Sequence, residues 1–251
     1  MPSTASYIFA LFGPVERTAG LTSLLAAADV LTQTAPKYPI NALVSTTWAS
    51  NPILQRETKR LRIGLLPVEE WSVSCQAGKG TQRPEYFRPT YSIFHIYNLT
   101  QFEFVLYLDT DLAVLHNIDH LLAQEVHVEE LRPPTGCNPS GYHLWNTGVW
   151  GIKPNHTRFE LISGWLHEPG NLSNPCGNGF QTAAYTFLLH EKFAPSSVVH
   201  VGCEYNMKAD RGVRICAAIL DIPLSAVAVV HWSGTRKPRP RSVRSIPDAG
   251  G

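Results

Sequence analysis

Apolar residues along this chain follow two alternating patterns. Short runs are apolar at nearly every position, as in strands covered on both faces, and longer stretches are apolar every third or fourth residue, as in amphipathic helices. Tyr7–Phe12 predicts a buried first strand, and after the turn residues Gly13-Pro14 the positions Leu21, Leu24, Leu25, Ala28 and Leu31 predict a helix. Strands are predicted over Ile40–Ser45 and Ile63–Val68, with a helix over Asn51–Leu61 between them. Residues 72–84 carry two Gly, two Ser and a Pro and read as a surface loop. Pro89 suits a first helical turn, with Tyr91, Phe94 and Tyr97 following at helical spacing.

Phe104–Leu108 is apolar throughout, the signature of a central strand, and it runs straight into Asp109-Thr110-Asp111. Residues 123–143, with Pro133-Pro134 and Gly136, read as irregular. Leu144–Ile152 predicts a strand interrupted by Asn146-Thr147-Gly148, and Phe159, Ile162 and Leu166 mark a helix. Another helix is predicted over Ala183–Leu189, and the last strands over Val198–Val201 and Ala226–Val230. The alternation predicts an α/β domain with a largely parallel sheet.

Composition narrows the function classes. With 251 residues, 44% hydrophobic and 16% charged, the chain is not disordered, and its net charge of +1 argues against a nucleic-acid coat or a membrane-surface protein. The basicity is terminal: Thr235–Gly251 holds five Lys/Arg and one Asp. We expect a domain over residues 1–238 and a mobile Pro/Arg/Gly-rich tail over 239–251. Five widely spaced cysteines without C-x-x-C exclude a zinc ribbon or small disulfide scaffold and suggest free thiols in a reducing compartment. No apolar stretch approaches 18 residues, and the N-terminus lacks a basic segment or cleavage site. A cytoplasmic protein without a membrane span is expected, or a Golgi one if the native N-terminus is longer. The glycosylation patterns at Asn98, Asn155 and Asn171 are then coincidental.

In open α/β sheets ligands bind beyond the carboxyl ends of strands. Three polar clusters are predicted there: Asp109-x-Asp111, Asn146-Thr-Gly148 and His231-Trp-Ser-Gly234-x-x-Lys237. Asp109 and Asp111, two apart, can point at one object, and paired carboxylates repel unless a cation or strong donors lie between them. Carboxylates with an imidazole suit Mg²⁺ or Mn²⁺. Gly234 allows close backbone approach to phosphate oxygens, and Lys237 supplies a point charge. The pair His116 and His120 lacks the Glu at position 117 that a zinc peptidase helix needs, and is incidental.

Asn98-Leu-Thr-Gln-Phe-Glu-Phe-Val-Leu-Tyr-Leu-Asp-Thr-Asp-Leu-Ala-Val-Leu-His-Asn-Ile-Asp119 resembles the central block of glycosyltransferase family eight, which includes glycogenin and galactinol synthase. Trp145-Asn-Thr-Gly-Val-Trp-Gly-Ile-Lys-Pro154, Tyr205-Asn206 and His231-Trp-Ser-Gly-Thr-Arg-Lys-Pro238 are similar to its later signatures, in the same order. The resemblance implies a GT-A fold, a single Rossmann-like domain with a mixed, mostly parallel sheet flanked by helices. It implies retaining transfer of a hexose from a nucleotide sugar, usually a UDP-sugar. Carried over, Asp109, Asp111 and His231 would hold Mn²⁺ (or Mg²⁺), and Gly234 and Lys237 would contact the donor phosphates. Asn146 and Gln181 would face the donor sugar, with Asp109 and these two forming the catalytic set and Thr110 among the donor contacts.

The chain also departs from the family. Ile93 stands where the family carries Lys, Phe180 replaces the Asp before Gln181, and Gly13–Arg17 lacks the Asn-Asp-x-Tyr that receives uracil. An active transferase therefore stands beside a catalytically weak or inactive nucleotide- or sugar-binding regulator. The acceptor (sugar, cyclitol, lipid or protein tyrosine) is not specified, and Ala123–His143 is the expected acceptor region. The Arg-rich tail offers a further idea, docking to an acidic partner or membrane surface.

Overall fold

The computed structural model describes residues 5–71, 73, 88–123, 129–133, 146–168, 183–184, 195–209 and 213–232. These form a mixed α/β structure around a seven-stranded sheet. In chain order its strands are β1 (Ala5–Leu11), β2 (Ile40–Ser45), β3 (Gly64–Val68), β4 (Phe104–Leu108), β6 (Glu130–Arg132), β7 (Val149–Ile152) and β8 (Val198–His200). Across the sheet the order is β3-β2-β1-β4-β7-β6-β8. β3, β2, β1 and β4 run parallel, β7 is antiparallel to both β4 and β6, and β8 is parallel to β6. A smaller sheet combines β5 (Leu112–Val114), β9 (Met207–Lys208) and β10 (Val229–His231), with β10 in the middle.

The N-terminal half forms for local reasons. α1 (Thr18–Gln33) buries Leu21, Leu24, Ala27, Ala28 and Leu31 along one stripe. After the short α2 (Thr46–Ala49), α3 (Pro52–Leu61) starts where Asn51 accepts hydrogen bonds from the Ile53 and Leu54 amides. It has Pro in its first turn and ends at Arg62 in the left-handed conformation (φ 57). β4 alternates between two cores. Phe104, Leu106 and Leu108 join the layer under α1, while Val105 and Tyr107 join a second layer with Trp150 and Ile152.

That second layer is covered by α4 (His156–His167) and by a helical segment over Arg88–Asn98. The latter is 3-10 rather than α, and Tyr91–Tyr97 is buried continuously rather than on one stripe. Three residues per turn stack Tyr91, Phe94 and Tyr97 in one row. The polar residues between them are partnered: Ser92 Oγ accepts from the Trp71 amide (2.8 Å), and His95 Nε2 lies 3.0 Å from the Glu69 carbonyl.

Several sequence expectations change. β6 lies inside the stretch read as irregular. The strand expected over Leu144–Ile152 starts only at Val149, and the last one is Val229–His231, preceded by a 3-10 turn over Leu224–Ala226. α5 (Val213–Ile219) was not anticipated. Ala183 and Ala184 are helical, while the rest of that predicted helix, most of the loop at 72–84 and the tail lie outside the described residues. Cys216 is free and buried, as expected, but Cys203 is disulfide-bonded to a partner outside the described residues. No described helix is long and apolar enough to cross a membrane.

Candidate functional site

The two sheets meet at the carboxyl end of β4, where a tight turn at Asp109–Asp111 carries the chain from β4 into β5. β10 pairs antiparallel with β5, placing His231 opposite Leu112, and the Trp232 amide donates to the Asp111 carbonyl at 2.9 Å. Two carboxylates and an imidazole from distant parts of the chain thus converge. His231 Nε2 lies 3.1 Å from Asp111 Oδ1 and 3.6 Å from Asp109 Oδ2. The imidazole is buried (1% exposed), while Asp109 (29%) and Asp111 (14%) are partly exposed.

Further residues hold this group in place. Tyr107, on the same face of β4, donates its hydroxyl to Asp109 Oδ1 at 2.5 Å. Burial, and then the Asp109 carboxylate, keep that hydroxyl protonated well above the usual phenol range. The Asp109 amide donates to the Gly148 carbonyl (2.9 Å). Asn146 Oδ1 accepts from the Gly148 amide (2.8 Å) and from Asn206 Nδ2 (3.1 Å), and Asn206 Oδ1 lies 2.8 Å from His231 Nδ1. A β-carbon on Gly148 would sit 2.2 Å from His231 Cε1, so only glycine fits beside the ring. Burial opposes charge on His231, but its hydrogen bond to Asp111 and the charges of Asp111 and Asp109 outweigh this and raise its pKa.

This donor set fits a hard divalent cation. One ligand atom from each of Asp109, Asp111 and His231 can be chosen so that all lie within 4.8 Å of one another. Oxygen ligands with one imidazole match Mg²⁺ or Mn²⁺ rather than a thiophilic ion.

Of the residues singled out from the sequence, the structure brings together Asp109, Asp111, His231 and Asn146, with half-buried Thr110 between the aspartates. Gln181, Gly234 and Lys237 lie outside the described residues. Ile93 packs in the second core layer. His116 and His120 do not share an α-helix, and His120 Nε2 lies 2.9 Å from the Tyr205 hydroxyl. Sequence reasoning missed the support by Tyr107, although strand alternation puts residues two apart on one face. It also missed how the first loop is tied: the Gly13 amide donates to Glu70 (2.8 Å), and its carbonyl accepts from Trp48 Nε1 (2.9 Å).

No protein-family model matches the chain. A stretch of 87 residues is 28% identical to UDP-glucuronate:xylan alpha-glucuronosyltransferase 1 of Arabidopsis thaliana, covering 35% of this chain and 12% of that protein. Among solved structures, the glycosyltransferase GlyE of Streptococcus pneumoniae superimposes with a TM-score of 0.61 at 16% identity, over 95% of this chain and 56% of that one. The galactosyltransferase LgtC, in complex with donor and acceptor sugar analogs, gives a TM-score of 0.62 at 16% identity, over 93% and 88%. Mouse xyloside xylosyltransferase 1 gives 0.60 at 15%, over 94% and 100%. The chain thus spans little more than half of GlyE and about an eighth of the plant protein. The fold is GT-A, shared with these glycosyltransferases.

Proposed function

We propose that the chain is a metal-dependent, retaining glycosyltransferase of the family-eight type, moving a hexose from a UDP-sugar to an acceptor. The observation that carries this is the convergence of Asp109, Asp111 and His231 at the mouth of β4. The plant relative is named for a UDP-sugar donor, which supports uridine, and the LgtC likeness supports a hexose. Asp109, Asp111 and His231 would hold Mn²⁺ or Mg²⁺, which when bound neutralises charge developing on the leaving diphosphate. Lys237 and the backbone at Gly234 bind the same phosphates, within a domain we place over residues 1–238, and Thr110 lies against the donor. Asn146 has its Oδ1 engaged by Gly148 and Asn206, which leaves its Nδ2 to donate to a sugar hydroxyl. Gln181 completes the sugar contacts.

Calorimetry of UDP binding with and without Mn²⁺ tests the donor site. Binding that needs both the metal and Asp111, and is lost in Asp111→Asn, is expected; absence of metal-dependent binding to the wild type would overturn the enzyme assignment. A screen of UDP-sugars against sugar, cyclitol, lipid and tyrosine acceptors then identifies the reaction. One observation favours a second reading, a binding or regulatory protein. Ile93, where the resembled family carries Lys, is packed in the core and places no cation near a donor. Slow release of free sugar from the donor is expected of an enzyme and not of a binder.

A further inference from the structure

His231 can coordinate a cation through only one of its two ring nitrogens, and which one is available depends on what the other is bonded to. Its Nδ1 lies 2.8 Å from Oδ1 of Asn206, a buried residue that follows the turn Cys203–Tyr205. The turn is held by the Asn206 amide donating to the Cys203 carbonyl (3.1 Å) and the Ala228 amide donating to the Glu204 carbonyl (3.0 Å).

The orientation of the Asn206 carboxamide follows from its other neighbour. The atom 3.2 Å from the Asn146 carbonyl must be the NH₂ group, because a carbonyl only accepts. The oxygen therefore faces the ring, and since a carboxamide oxygen also only accepts, Nδ1 carries the proton. Nε2 is left on the side of Asp111 and Asp109. The same NH₂ reaches Asn146 Oδ1 (3.1 Å), so one carboxamide touches both the ring proposed to hold the metal and the residue proposed to face the donor sugar.

We propose that Asn206 is a positioning residue for the transfer. It fixes His231 in the tautomer that presents Nε2 to the cation, and it ties the cation's imidazole ligand to Asn146, so that metal binding and placement of the donor sugar depend on one side chain. This rests on the metal-dependent reading above. The two halves of the carboxamide have separable duties: the oxygen serves the metal and the NH₂ serves the sugar.

The full chain with Asn206→Leu and Asn206→Asp tests this. Mn²⁺ affinity is read by electron paramagnetic resonance without donor, KM for the donor by turnover, and the ring ¹⁵N signals of His231 by NMR of the Mg²⁺-loaded protein. Asn206→Leu is expected to lose about 10–100-fold in Mn²⁺ affinity, with the His231 signals spread over both tautomers. Asn206→Asp keeps an acceptor for Nδ1–H and restores Mn²⁺ affinity to within about threefold of wild type, but it has no N–H for Asn146, so the donor KM stays raised. A purely structural role would not split the two readouts in this way. Wild type that binds no divalent cation overturns the metal reading and this proposal together. Wild type that binds Mn²⁺, with Asn206→Leu binding it equally well, overturns the positioning role alone. If Asn206→Leu does not fold, an unprotonated Nδ1 in the wild-type spectrum, or an Asn206→Asp variant that recovers donor KM along with metal affinity, overturns it.

Discussion

The β4–β7 pair carries a polar cluster at each end, and the two are built on opposite terms. At the end where β4 begins, Glu130 is fully buried and accepts from the Tyr97 hydroxyl (3.1 Å) and Trp150 Nε1 (3.3 Å). Arg158 (3.6 Å) and Arg132 (3.8 Å) face it. Burial raises the Glu130 pKa, and the two guanidiniums offset only part of that. With Glu129, which also lies 3.6 Å from Arg158, two carboxylates here meet two guanidiniums of the same chain. At the end where β4 stops, two half-buried carboxylates share one imidazole among the described residues. A buried, charge-matched network holds the sheet together, whereas a partly exposed group with an excess of carboxylates is the kind of arrangement that can take up a cation from solvent.

The contrast predicts separable losses. Asp111→Asn should cost at least about 100-fold in Mn²⁺ affinity and about 10²–10³-fold in transfer rate, with the urea midpoint little changed. Equal damage to stability would erase the distinction between the two ends. Glu130→Ala should do the reverse. Stranding the facing guanidiniums should cost about 3–5 kcal/mol in chemical denaturation, while Mn²⁺ affinity of the folded fraction stays the same. Gly148→Ala should touch both quantities, because its new methyl must displace the His231 ring: about 1–3 kcal/mol of stability, with weakened metal binding seen in the same calorimetric titration. Tyr107→Phe should be milder, about tenfold in Mn²⁺ affinity, with the second core layer still filled.

The smallest effect is on pH dependence. The raised pKa of His231 means that its protonated form is stabilised by folding in the metal-free protein. That contribution is fully present below the unfolded value of about 6.5 and is lost as pH rises through the higher folded value. Thermal melts from pH 6 to 9 should show wild type losing this increment and His231→Gln showing none. Added Mn²⁺ should invert the trend, since the cation competes with the proton for Nε2.

The legible parts of the molecule are those whose cause is local. α1, β2, α3 and β4 follow from periodicity and from caps such as Asn51. β5 and β9, three and two residues long, are too short for any period, and they are strands because β10 pairs with them. β6 was hidden by the Pro and Gly that follow it, and Arg88–Asn98 by a spacing of three that serves 3-10 and α-helix alike. In the site, Asp109, Asp111 and His231 stand out because each lies just beyond an apolar run. The duties of Tyr107 and Asn206 are set by tertiary contacts that no linear pattern encodes. Gln181, Gly234 and Lys237 remain sequence expectations.

The hydrogen bond between Asp111 and His231 joins residues 120 positions apart, and the later one comes from the strand at the centre of the small sheet. That spacing has a consequence for biosynthesis. On the ribosome, the parallel strands β1 to β4 can pair while translation continues. β5 must wait with its edge uncovered until β10 emerges. A nascent chain therefore carries Asp109 and Asp111 early but no imidazole to complete the set. The three-residue group is whole only after the last described strand has docked, so the moment of its assembly is written into the order of the strands.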